Sequence, residues 1–103
     1  MQFGAPQLVP RIQVSEAEQK ARVVHQNEFV PPRESRKSAE KGVKLQILVG
    51  IDGRVWAILK VIEGEESLRS AAVAAASKWQ YRPNFIGGIP TEVVTEIFVP
   101  MKR

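Results

Sequence analysis

The 103-residue chain contains no cysteine and a single histidine, His25. Without cysteine there is no disulfide framework, no thiolate metal site and no cysteine nucleophile, and one histidine cannot build a histidine-rich zinc site. Long apolar runs are missing as well. No stretch approaches the roughly 18 consecutive apolar residues of a membrane span. The opening MQFGAPQLVPRIQV has neither the basic flank nor the apolar run of a signal peptide. The chain as given is therefore expected to be soluble. A one-sided charge distribution is absent too. Lys and Arg number 15 against 11 Asp and Glu, for a net charge of +4. Residues 1–42 carry seven basic and five acidic side chains, and residues 43–103 carry eight and six, so neither half is a basic arm. Nucleic-acid binding calls for clustered Lys and Arg interleaved with aromatics. Only Arg33, Arg36 and Lys37 form a local run, and Glu34 and Glu40 dilute it into a solvated helix face. No nucleic-acid partner is expected.

What is present has the balance of one globular domain, with 44% apolar and 25% charged residues. Residues 1–10, with Gly4, Pro6 and Pro10, read as a loose tail. Residues 11–103 read as a single domain with its core over about 28–101. Arg11 to Val14 is a short extended piece. Ser15 and Glu18 have capping-box spacing and open a turn or two of helix, followed by an extended stretch through Phe29. A short helix is expected from about Pro32 to Glu40, since proline is tolerated in a first helical turn. In VKLQILVGIDGRVWAILKVI, Val43, Leu45, Ile47 and Val49 alternate with Lys44, Gln46, Leu48 and Gly50, the pattern of a strand with one buried face. Asp52-Gly53 suits a tight reversal, and Val55 to Ile62 is a return strand.

Glu63-Gly64 ends this hairpin, and Glu65 and Glu66 favour a helix N-terminus. Leu68, Ala72, Ala75 and Trp79 form a narrow helical stripe of small residues closed by an aromatic anchor. Pro83 stops that helix in this reading, Gly87-Gly88 turns the chain, and Thr91 to Val99 alternates again with Val93, Thr95, Ile97 and Val99 on one face. A helix of about 14 residues spans roughly 20 Å and returns the chain along the sheet. With the hairpin strands numbered 1 and 2, the order is 2-1-3 and the last strand is left at an edge.

No constellation of reactive groups stands out. His25 has no Ser, Asp or Glu at a triad-like spacing. Glu63, Glu65 and Glu66 are explained by a helix start. Gly50 to Gly53 and Gly87-Gly88 lack the spacing and lysine of a phosphate loop. Trp79 reads as core, while Trp56 lies on the opposite parity from its neighbours. The expectation is a protein that is not an enzyme, with no metal, no cofactor and no small-molecule substrate.

The element order and motifs resemble the C-terminal domain of the TonB energy-transducer family over about Pro31 to Val99. LQILVGIDGRV is similar to that family's alternating strand, Asp-Gly turn and return strand. LRSAAVAAASKWQYRP, with Ala71, Ala72, Trp79, Tyr81, Arg82 and Pro83, resembles its helix ending in Trp-x-Tyr/Phe-x-Pro. Gly88 and Pro90 fit the approach to the final strand. Val30-Pro31 stands where the family usually has Tyr-Pro. The spacing from Asp52 to Trp79 is one residue longer than in the family pattern, which points to a bulge in the second strand.

The fold implied by the resemblance is α+β, a three-stranded antiparallel sheet packed against two helices with an extended N-terminal segment. The implied location is the periplasm, with an inner-membrane anchor outside the given sequence. The implied partners are a short segment of an outer-membrane TonB-dependent transporter and, through that anchor, an inner-membrane proton-channel complex. The implied work is transmission of inner-membrane energy for uptake. An extended segment would add to the edge formed by Thr91, Glu92, Val93, Val94, Thr95, Glu96, Ile97, Phe98 and Val99, with Val30 and Pro31 nearby. Arg11 to Val14 is the intramolecular alternative for covering that edge. The competing reading is a structural or self-association module of a sensor or secretion protein, in which the same edge pairs with a second copy to form a homodimer.

Overall fold

The computed structural model describes residues 10–31 and 41–102. The expected helix from Pro32 to Glu40 and most of the N-terminal tail lie outside the described residues. The chain forms β1 (Arg11–Gln13), α1 (Glu16–Lys20), β2 (Val23–His25), β3 (Gly42–Val49), β4 (Val55–Glu63), α2 (Glu66–Ala76), β5 (Gln80–Tyr81), β6 (Asn84–Ile86) and β7 (Ile89–Pro100).

Three long strands carry the architecture, in the order β4-β3-β7 and antiparallel at both contacts. The period-2 rows decide which face is inside. Val43, Leu45, Ile47 and Val49 of β3 and Val93, Ile97 and Val99 of β7 are buried with Leu68, Ala72, Ala75 and Ala76 of α2, which packs on that face. The small residues of the helical stripe let the helix axis lie close to the sheet. Trp79 lies past the end of α2 but still points inward at 5% exposure, and its indole N–H donates to the Asn27 carbonyl at 2.9 Å. The helix ends at Ala76, well before Pro83, because the chain passes directly into β5.

The expectation of a three-stranded antiparallel sheet packed against two helices is corrected: the chain is mostly sheet, with seven strands in two sheets and two short helices among the described residues. The additional strands are two or three residues long. β1 joins β7 in parallel, β6 pairs with the start of β7, and β2 with β5 forms a separate ribbon. Such pieces are ordered by docking, β1 and β6 onto the long β7 and β2 and β5 onto each other, since two or three residues show no periodicity of their own.

The return strand is bulged, as the long Asp52 to Trp79 spacing predicts. Val49 faces Val55 and Leu48 faces Ala57, which leaves Trp56 extra; the same break recurs at Leu59 and at Ile62. Three bulges at intervals of three residues twist β4 away from regular pairing, one of the ways an open edge is protected from adding further strands. At the first bulge Trp56 turns outward, with its ring lying over Gly50 and its N–H donating to Asp52 Oδ1 at 2.9 Å.

Candidate partner-binding edge

The last strand is not left open along its length. β1 lies against its outer side in the register Arg11↔Glu92, Ile12↔Val93 and Gln13↔Val94. The Glu92 N–H donates to the Pro10 carbonyl at 2.9 Å, and the Val14 N–H donates to the Val94 carbonyl at 3.0 Å. Arg11 adds an ion pair at 2.8 Å to Glu92. The unpaired edge expected over Thr91 to Val99 is therefore corrected for its first part, because the N-terminal piece supplies an intramolecular cover. Thr91 itself is buried and pairs with Asn84 of β6.

Farther along, the cover is interrupted. After Val14 the chain leaves the edge to form α1 and β2, and it returns only at Phe29. There the Phe29 N–H donates to the Pro100 carbonyl at 3.2 Å, and the Lys102 N–H donates to the Phe29 carbonyl at 2.8 Å. Backbone groups alternate sides along a strand. Since Glu92, Val94 and Pro100 bond outward, the N–H and C=O groups of Glu96 and Phe98 also face outward, and among the described residues no strand pairs with them. From Val94 to Pro100 the gap runs for about 20 Å of extended strand.

A hollow of about 220 Å³ adjoins this gap, lined by Glu16, Lys20, Val23, Gln26, Trp79, Tyr81, Ile97, Phe98 and Pro100. Its wall is mostly apolar, with Trp79 and Tyr81 stacked at a tilt, ring centres 6.5 Å apart. Burial pushes the Tyr81 hydroxyl pKa well up from the ordinary tyrosine range, and the nearby Glu16 charge raises it further. At the rim the Lys44 ammonium lies 3.5 Å from Glu96 and 3.8 Å from Glu16, joining α1 to the sheet. These contacts are partly exposed and worth little individually.

The residues expected to bind a partner fall into three groups. Glu92, Val93 and Val94 lie beneath β1, and Val93, Thr95, Ile97 and Val99 point their side chains into the core. Glu96 and Phe98 are exposed at the gap, Phe98 at 43%. Val30 is exposed and Pro31 buried, and both follow Phe29 beside the end of β7. Sequence reasoning missed the far wall of the hollow, Glu16, Lys20, Val23 and Gln26, because only tertiary docking brings α1 and β2 there. His25 lies exposed on β2. No protein-family model and no curated protein matches this chain, so the resemblance to the TonB family rests on the motifs quoted above.

Proposed function

We propose that the chain is a TonB-like partner-binding domain of the periplasm, in which an extended segment of an outer-membrane TonB-dependent transporter adds to the outer edge of β7. The observation that carries this reading is the gap between β1 and Phe29, where the backbone groups of Glu96 and Phe98 face outward beside an apolar hollow. Two aligned donors and two acceptors give a guest strand its affinity, and the hollow takes one apolar side chain of the guest. A longer guest would displace β1, which is held by few bonds. In this reading the domain is not an enzyme. An anchor outside the given sequence ties it to the inner membrane and its proton-channel complex.

The test is binding of extended transporter-derived peptides to the wild type and to Phe98→Pro. That substitution removes an outward N–H without removing a donor to β3, and proline is tolerated at such edge positions. Circular dichroism reports the fold, and peptides N-methylated at alternate positions probe the same bonds from the guest's side. The expected result is a loss of about tenfold in affinity for Phe98→Pro and for one of the two methylation registers, as for a hydrogen-bonding group left without its partner. A folded Phe98→Pro that binds like wild type, with both registers tolerated, rules out strand addition here. Concentration-dependent dimerisation abolished by the same substitution would replace the transporter reading with self-association.

A further inference from the structure

The β6–β7 hairpin ends in a surface that neither the core nor the β7 gap uses. Its tip, Phe85-Ile86-Gly87-Gly88-Ile89-Pro90, has no polar side chain. The register pairs Asn84 with Thr91, Phe85 with Pro90 and Ile86 with Ile89. Directly opposed residues share a face, so Phe85 and Pro90 lie on one side of the ribbon and Ile86 and Ile89 on the other. Phe85, Ile86 and Ile89 are 56%, 47% and 54% exposed. At the turn, a side chain on Gly87 or Gly88 would meet nothing within 4 Å. A half-buried strand is apolar on one face only, and a solvated turn is rich in Asn, Asp and Ser. This tip is apolar on both faces and projects into open space.

The charge along this stretch of the chain is of one sign. Between Glu66 and Glu92 the chain holds Arg69, Lys78 and Arg82 and no acidic residue. Arg82, Arg22 and Phe85 line one shared hollow with Ile12, Val14, Glu18, Ala21 and Asn84. Both arginines are exposed. Arg82 donates to the Ala21 carbonyl at 3.0 Å and Arg22 to the Pro83 carbonyl at 3.5 Å, and neither has a carboxylate partner among the described residues. Glu18 accepts from Ser15 Oγ and, among the described residues, from no arginine. The two guanidiniums are thus oriented by backbone carbonyls while keeping donors and full charge for an outside anion.

We infer that this hairpin is a membrane-docking wedge, which buries Phe85, Ile86 and Ile89 in the interfacial region of an anionic bilayer while Arg22 and Arg82 meet lipid phosphates. A narrow ribbon that is apolar on both sides suits a fluid medium that closes around it, whereas a protein surface covers one face. A basic girdle behind an apolar tip is the arrangement that combines acyl-chain burial with attraction to anionic headgroups. This inference is independent of the β7 gap.

The test is co-sedimentation of the protein with vesicles of phosphatidylcholine alone and of phosphatidylcholine with phosphatidylglycerol. Binding is expected to the anionic vesicles and to weaken as salt is raised. The double substitution Phe85→Ser with Ile89→Ser lies on exposed positions and should lower partitioning by about tenfold or more. Arg22→Gln and Arg82→Gln should each lower it by about fivefold. Because the chain has no native cysteine, Ile86→Cys carries a single environment-sensitive fluorophore. Its emission should shift to the blue on anionic vesicles, while the same label at Lys60→Cys on β4 should not shift. Equal binding to both vesicle types, no binding to either, or unchanged binding by the serine variant would overturn the inference. So would a serine variant that loses self-association while vesicles leave the wild type in solution, since the wedge would then be a protein contact.

Discussion

Replacing Trp79 with alanine tests whether the indole closes the core beneath α2. The ring is nearly buried, packs against Tyr81, and donates its N–H to the Asn27 carbonyl. Deleting a buried aromatic costs about 3 to 5 kcal/mol through lost transfer energy and the cavity left behind. Trp79 lines two surface hollows, one beside Tyr81 and Ile97 and one beside Arg54, Trp56 and Lys78. Water can therefore reach the space its removal leaves, which puts the packing loss near the lower end, about 3 kcal/mol. Loss of the indole hydrogen bond adds about 1 kcal/mol. The sum, about 4 kcal/mol, is a large share of the roughly 5 to 15 kcal/mol by which such a domain is stable. Urea unfolding followed by far-ultraviolet circular dichroism measures it, with Trp79→Phe as the companion. Phenylalanine keeps most of the apolar volume but not the N–H, so about 1 to 2 kcal/mol is expected. A loss below about 1 kcal/mol for alanine, or equal losses for both variants, would refute the packing argument.

Gly53→Ala should cost at least about 2 kcal/mol in the same assay, because Gly53 has φ +83° and an added Cβ would collide with the Tyr81 carbonyl oxygen; a change under about 0.5 kcal/mol would mean that the turn and β5 do not meet there. Tyr81 supplies a pH test. Its folded-state pKa is raised by burial and then by Glu16, so above the ordinary tyrosine pKa near 10 the unfolded chain ionises while the folded one keeps its proton. Stability from this group is therefore whole below about pH 10 and falls as pH rises beyond it. Tyr81→Phe should remove that part of the alkaline loss, and denaturation midpoints measured across the alkaline range should show the difference.

How much of the molecule could be read in advance depends on the length of each pattern. Eight residues of β3 and twelve of β7 show enough alternation to fix which side chains go inside, and the Leu68, Ala72, Ala75, Trp79 stripe fixes the inward side of α2. These features are local, because a strand or helix pattern follows from backbone geometry that each segment carries by itself. The Asp52-Gly53 reversal was legible on the same grounds. Its second role was not: the Gly53 carbonyl accepts from the Tyr81 N–H at 2.8 Å, so the glycine also admits β5 against the turn.

The resemblance motif around Trp79 and Tyr81 marked residues that line the hollow, but it gave no sign of what stands opposite them. β1, β2, β5 and β6 have two or three residues each, too few for a period, and the partners of β1, β2 and β5 lie far away in the chain. Arg11 to Val14 reads as extended in sequence, yet only docking decides that it runs parallel to β7 and stops at Val94. The outer edge of β7 is covered where the N-terminal piece reaches it and open where α1 carries the chain away. That gap is set by the route of the chain through space, and no side-chain pattern within β7 encodes it.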